Sequence, residues 1–349
     1  MPRIAVIPGD GVGPEVVDEV IKVLALLAGR GLPLSWSRFD YGAERFLRKG
    51  EALPEGALDE LRSFDAIFLG ALGDPRIPDS AHARGILLEL RFRLDLYVNL
   101  RPVKVYDASL SPLRDAEGVD FAIVRENTEG AYAGSGGFLR KGTPDEVAIQ
   151  DAVATRRGVE RVLRHAFALA AARPRPGLVM ADKHNALRYV SDLWHRIFLE
   201  LAEAYPSVEA RHLFADVLLY EMVRDPRQFG IVVTSNLFGD LASDLGAGIA
   251  GSLGLAPSAS YNPETRAALF EPVHGSAPGL AGKGLANPFA ALLSASMMLE
   301  FLGFGGEAGA LETAVASCVR EGKTTADLGG TLSTSAAGDA VRRALQYGD

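Results

Sequence analysis

Short apolar runs bounded by turn residues alternate with helical patterns through most of this chain, and that alternation restricts the fold more than any other feature. Strands separated by helices imply an α/β protein with parallel strands. Arg3–Pro8, Leu34–Phe39, Ala66–Leu72, Tyr97–Val105, Phe121–Arg125, Leu178–Ala181 and Ile231–Thr234 read as strands. Pro14–Ala28, Ala57–Ser63, Thr155–Ala171, Arg188–Ala204 and Pro288–Phe301 read as helices, and helical patterns at 309–321 and 336–347 follow. In the first helix Val16, Val17, Val20, Ile21, Leu24 and Leu27 recur every three or four residues and define one buried face. Pro14 suits its first turn, and Gly31 a position just past its end.

With 349 residues the chain has room for one large domain or two ordinary ones. Its 48% hydrophobic and 23% charged residues are those of a globular protein. A net charge of -8 argues against nonspecific nucleic-acid binding and against an acidic membrane surface. No signal-like segment opens the chain and no apolar run approaches the roughly 18 residues of a membrane span, so a cytoplasmic location is expected. The single cysteine, Cys318, has no internal disulfide partner and reads as a small core residue on a late helix; no Cys/His spacing suggests a zinc site. Positive charge is concentrated locally, at Arg91, Arg93, Arg101 and Lys104.

The turn IPGDGVGPEV, Ile7 to Val16, resembles a dinucleotide-binding turn but reads G-x-G-x-G where that fingerprint needs G-x-G-x-x-G. It reads better as a tight strand-to-helix turn in which glycines take positive φ and Asp10 supports the helix start. A role as one edge of a ligand site stays open, because helix N-termini attract anions.

Several segments carry chemistry. Arg91 and Arg101 flank an amphipathic stretch, and two guanidinium forks suit a substrate with two carboxylates. Arg125 ends a strand, where ligands bind in open parallel sheets, and Tyr132 follows in a glycine-rich loop as a possible proton donor. Lys183 lies just past another strand, where a lowered pKa would make it a base. In TSNLFGDLASDLG, Asp240 and Asp244 share one helix face a turn apart. Two carboxylates so placed suit magnesium or manganese, and Asp216 could complete the site. Phe270–Pro288 is a long Gly/Ala/Pro-rich loop that lets a flat ligand approach its backbone. It lacks the P-loop spacing, which weakens a phosphotransferase reading.

Together these segments resemble the metal-dependent β-decarboxylating dehydrogenases, the family acting on 3-isopropylmalate, isocitrate, homoisocitrate and tartrate or D-malate. NLRP, NLFGDLASD and EPVHGSAP occur in order, and the likeness runs from IPGDGVGPEV to TTADLGG, nearly the whole chain. The resemblance implies an isopropylmalate dehydrogenase-like two-domain α/β fold with parallel and mixed sheets, not a Rossmann fold. Its cofactor domain would be discontinuous, 1–98 with 252–349, around a central substrate and dimerisation domain, 99–251. It implies substrate carboxylates on Arg91, Arg101 and Arg125, a catalytic pair Tyr132 and Lys183, and metal ligands Asp216, Asp240 and Asp244. Lys183 and Asp216 would reach the site of the other subunit of a homodimer, so an isolated monomer would be inactive.

The resemblance also implies hydride transfer to NAD followed by metal-assisted loss of the β-carboxylate, with Tyr132 delivering the final proton. Leu87 and Leu88 align with the apolar pocket that accepts an isopropyl group, so the expected small-molecule substrate is 3-isopropylmalate. Arg84 and the ENTEG motif keep homoisocitrate as the alternative, with isocitrate and tartrate or D-malate behind it. The adenosine-binding loop is expected at His274, Gly275, Ser276, Ala277, Gly279 and Asn287. Gly279 stands where NAD-using members have aspartate, but no cation is placed for a 2′-phosphate, so NAD is expected.

Overall fold

The computed structural model describes residues 1–173 and 177–347. In chain order its first elements are β1 (Arg3–Gly9), α1 (Gly13–Gly29), β2 (Ser35–Arg38), α2 (Ala43–Lys49), α3 (Ala57–Arg62), β3 (Ala66–Ala71), α4 (Ala81–Ala83), α5 (Glu89–Arg93) and β4 (Val98–Lys104). Then come β5 (Asp120–Glu126), β6 (Gly136–Leu139), β7 (Val147–Gln150), α6 (Arg156–Ala171), β8 (Gly177–Asp182), α7 (Val190–Ala204), β9 (Glu209–Phe214), α8 (Ala215–Arg224), β10 (Ile231–Thr234) and α9 (Asn236–Ala250). The last are β11 (Pro257–Tyr261), β12 (Ala268–Pro272), α10 (Phe289–Phe301), α11 (Gly305–Arg320) and α12 (Thr334–Tyr347). None of the described helices is long and apolar enough to cross a membrane.

The chain divides into two compact units, one formed by Met1–Leu96, Val105–Glu117 and Ala247–Asp349, the other by Tyr97–Lys104 and Gly118–Gly246. In the first unit the strand order is β2-β1-β3-β12-β11, parallel except for the antiparallel pair β11 and β12. That order is not the doubly wound one of a Rossmann fold. Side chains alternate across it: Ile4, Val6, Phe68 and Phe270 join α1, α10, α11 and α12 in one core cluster, and Ala5, Ile7, Ile67, Leu69 and Leu269 join α3 and α5 in another. Burial on both faces is why these strands read as continuous apolar runs. Val16, Val17, Val20, Leu24 and Leu27 enter the first cluster as the helical period requires, and Cys318 is buried there on α11.

In the second unit the order is β4-β5-β10-β8-β9, with β4 antiparallel to β5 and the other pairs parallel. The antiparallel hairpin β6–β7 stands as a separate two-stranded sheet. Val159, Val162, Leu163, Ala166 and Phe167 of α6 are buried at helical spacing, and Phe167 stacks on Phe198 of α7 with ring centroids 5.6 Å apart. Thr155 caps α6, its side chain accepting from Gly158 N at 3.0 Å.

Two local expectations need correction. Gly9 and Gly11 do take positive φ, +72° and +57°, but Gly13 does not; there a Cβ would lie 2.2 Å from the Pro8 carbonyl oxygen, so close packing is what requires glycine. Asp10 does not cap α1, which has no side-chain cap. Its carboxylate instead accepts from Ala43 N at 2.6 Å and Gly73 N at 2.9 Å and lies 2.8 Å from Nε2 of the buried His82, tying the start of α2, the loop after β3 and α4 together.

Candidate active site

Antiparallel pairing of β4 and β5 sets Asn99 opposite Arg125, which makes Arg101 a diagonal neighbour of Arg125 on the same sheet face. β10 runs parallel to β5 with Thr234 beside Arg125, and α9 starts directly after it. Asn236, Asp240, Ser243 and Asp244 then fall on one face of α9. That face meets the arginines closely: a Cβ on Gly239 would sit 2.7 Å from the Arg125 side chain.

Asp240 is the hub. Its Oδ1 accepts from Arg125 Nη1 at 2.6 Å and Arg101 Nη1 at 3.2 Å, and its Oδ2 accepts from the Tyr132 hydroxyl at 3.0 Å. Arg125 is 1% exposed and also donates from Nε and Nη2 to Asn236 Oδ1 at 3.1 and 2.7 Å. Arg101 is held by Asn99 Oδ1 at 2.8 Å and Ser243 Oγ at 2.6 Å. The strand arginine is therefore not left unpaired, as its apolar setting demands. Partial burial, and then the charge of Asp240, push the Tyr132 hydroxyl above its usual range. The Asp244 carboxyl is raised by burial first and by Asp240 second. Two mutually repelling carboxylates of this kind are a hard-oxygen donor set that fits magnesium or manganese.

Lys183 and Asp216 do not join this cluster; they form an ion pair with one another. Asp216 is exposed at the start of α8, and Lys183 lies just beyond β8. Among the described residues of the single chain, Asp216, Asp240 and Asp244 do not converge as three metal ligands.

Arg91, also expected to meet a substrate carboxylate, lies in the first unit. Arg91 on α5 is 5% exposed and pairs with Glu271 of β12 at 2.9 Å. Just before it, Arg84–Leu88 form a π-helical turn, with Arg84 exposed, Leu88 half-buried and Leu87 packed against the core. Wide turns of this type are concentrated at functional sites.

The loop expected to start at Phe270 begins after Pro272, because Phe270 belongs to β12. Within the first unit it lines a cavity of about 600 Å³ with Val12, Leu253, His274, Gly275, Ala277, Leu280, Asn287 and Asp327 among its walls. Burial lowers the His274 pKa, favouring a neutral ring. Ser276 and Gly279 are not among these walls; the Ser276 carbonyl accepts instead from Val12 N at 2.9 Å. Glu15 on α1 accepts from Gly282 N at 2.6 Å and Gly284 N at 2.9 Å. The opening turn thus holds the late loop in place.

The acids of ENTEG are occupied by their own loop. Glu126, 1% exposed, accepts from Thr128 N, Thr128 Oγ1 and Glu129 N at 2.8 to 2.9 Å. Glu129 accepts from Thr155 N and Oγ1 at the start of α6.

One cluster was not legible in the sequence. Asp182, His184, His195 and His212 gather their potential ligand atoms within 4.8 Å of one another, against the expectation that no Cys/His spacing suggests zinc. The only sequence signal was Asp-x-His at a strand end; the other two histidines come from α7 and β9.

Residues 3–341 match the family described as isocitrate/isopropylmalate dehydrogenase. The chain is 50% identical over 343 residues to a 3-isopropylmalate dehydrogenase of Thermobifida fusca, covering 97% of this chain and 96% of that one. It is 45% identical over 342 residues to the enzyme of that name from Streptomyces coelicolor, covering 96% and 99%. Among solved structures, an isocitrate dehydrogenase from Methylococcus capsulatus superposes with a TM-score of 0.91 at 36% identity, covering 99% of this chain and 100% of that one. Motif order, sheet topology and these full-length likenesses agree: the chain belongs to the isocitrate/isopropylmalate dehydrogenase family of decarboxylating dehydrogenases.

Proposed function

We propose that this enzyme converts 3-isopropylmalate and NAD to 4-methyl-2-oxopentanoate, carbon dioxide and NADH, as a homodimer whose subunits share their active sites. The observation that carries this reading is the full-length identity of 45 to 50% with proteins named 3-isopropylmalate dehydrogenase. The apolar Leu87 and Leu88 beside Arg91 agree with an isopropyl group. The ENTEG acids are engaged by backbone and Thr donors of their own loop, and as acids they offer no partner to a third substrate carboxylate.

Arg91, Arg101 and Arg125 are each assigned to the substrate's carboxylates. As these anions arrive they replace Asp240 as partners of Arg101 and Arg125, which frees Asp240 to act with Asp244 and with Asp216 of the partner subunit as ligands. When bound, a magnesium or manganese ion supplies positive charge that favours deprotonation of the substrate hydroxyl and stabilises the enolate left by decarboxylation. Lys183 of the partner subunit accepts the hydroxyl proton, and Tyr132 returns a proton to carbon at the end. The ion pair of Lys183 with Asp216 keeps base and ligand together for delivery to one neighbouring site. Exposed apolar side chains on α8 (Val217, Tyr220, Val223), α9 (Leu237, Leu241) and the β6–β7 hairpin (Phe138, Ile149) suit a large contact between subunits.

NAD is assigned to the cavity lined by His274, Gly275, Ala277 and Asn287, with Ser276 and Gly279 shaping the loop. Asp327 in its wall would accept from ribose hydroxyls and repel a 2′-phosphate. The deciding measurement is NADH formation by purified protein with Mg2+ or Mn2+ and a panel of 3-isopropylmalate, homoisocitrate, isocitrate, D-malate and tartrate. The highest kcat/KM is expected with 3-isopropylmalate; a higher value on any other acid overturns the substrate assignment.

A further inference from the structure

We propose that Asp182, His184, His195 and His212 form a four-ligand site for a zinc-class divalent cation, chemically distinct from the carboxylate site on α9. Three of the chain's six histidines meet here. Asp182 ends β8, His184 follows it, His212 sits on the parallel neighbour β9, and His195 comes from α7. The three rings form a closed triangle with centroids 4.3, 4.7 and 4.9 Å apart.

The donors are close enough to share one cation. Asp182 Oδ1 lies 2.9 Å from His184 Nδ1 and 3.0 Å from His212 Nε2. A tetrahedral centre with bonds of about 2.0–2.2 Å sets its donors roughly 3.4 Å apart, so the two Asp182 contacts would open slightly and any pair near the 4.8 Å limit would close by up to about 1.4 Å. Hydrogen bonding alone leaves the group incomplete. Asp182 is 3% exposed, yet its Oδ2 is buried without a partner, and so is His195 Nδ1. Native interiors rarely leave such atoms unsatisfied.

The donor set selects the metal class. Three imidazole nitrogens and one carboxylate oxygen suit zinc and its neighbours, whereas magnesium prefers oxygen throughout. Phe214 packs against His184 and His212 at 5.1 and 5.3 Å, an apolar wall that holds the rings. Four protein ligands leave no open position, so the cation would act as a clamp joining β8, α7 and β9 and not as a catalyst.

The test uses full-length untagged protein, stripped with chelator and titrated with Co2+ in excess Mg2+. One Co2+ per chain with tetrahedral visible bands is expected, displaced by Zn2+, and Zn2+ should raise the melting temperature. His195→Gln and His212→Asn should each weaken uptake at least about a hundredfold, while Asp240→Asn leaves it unchanged. Wild-type protein that shows no tetrahedral band overturns the proposal by itself, whether or not a histidine variant folds. Uptake that survives both histidine changes, or is lost in Asp240→Asn, also overturns it.

Discussion

Arg125 Nη1 donates to Asp240 Oδ1 at 2.6 Å, so the most buried arginine of the site is neutralised by the carboxylate assigned to the metal. Under the proposed function, substrate anions on Arg125 would release Asp240 for the cation, so each would favour binding of the other. Asp240→Asn is expected to lower kcat by at least about 10²-fold, the cost of removing one charge-stabilising group. It should also abolish the thermal shift caused by Mg2+ with substrate. Undiminished turnover would remove Asp240 from the metal site.

The proposed sharing of sites between subunits makes a complementation experiment decisive. Lys183→Met and Asp240→Asn homodimers should both be inactive. Co-refolded in equal amounts they should recover about a quarter of wild-type activity, because half the dimers are mixed and each mixed dimer has one intact site. No recovery above the separate variants would place Lys183 in its own subunit's site.

Gly11 ties the start of the chain to the loop assigned to the cofactor. Its φ is +57°, and a Cβ there would lie 2.0 Å from the Ser276 carbonyl oxygen. Gly11→Ala is expected to cost about 2 kcal/mol or more through the left-handed backbone alone. It should also raise the KM for NAD while leaving that for substrate nearly unchanged. Chemical denaturation and a two-substrate kinetic matrix read the two effects separately.

Burial pushes the Cys318 thiol up to about 11 from an ordinary 9.0. A folded-state value above the unfolded one favours the fold fully below about pH 9, and this contribution is lost as pH rises through about 11. Over that window the wild type should lose roughly 2–3 kcal/mol more stability than Cys318→Ala, measured by denaturant unfolding at each pH. The thiol should react with a disulfide reagent only in denaturant. Equal alkaline losses in the two proteins would contradict this.

The sequence disclosed what depends on local period. Helix α1, its buried valines and the shared face of Asp240 and Asp244 follow from spacing alone. What escaped depends on contacts between distant segments. Strand β11, PSASY, is short and made largely of small residues with little apolar signal; it is buried because β12 flanks it and Ser258 N reaches Ser294 of α10. Asp10 stood next to a helix start, which suggested a cap, but Ala43 and Gly73 supply better donors. The capture of Asp240 by two arginines depends on the antiparallel register of β4 and β5, which no single segment encodes. The histidine cluster escaped for the same reason, since its members come from separate elements around a parallel strand pair.

Parallel pairing of β3 with β12, Ile67 beside Leu269 and Phe68 beside Phe270, also sets an order of assembly. A growing chain completes Tyr97–Gly246 long before β12, the later partner of β3, has been made, and α1 must wait for α12. The opening ββ pair and its apolar helix are thus without their final cover for most of synthesis. Truncation near the C-terminus would leave the earliest segment of the protein, and not the latest, without its core.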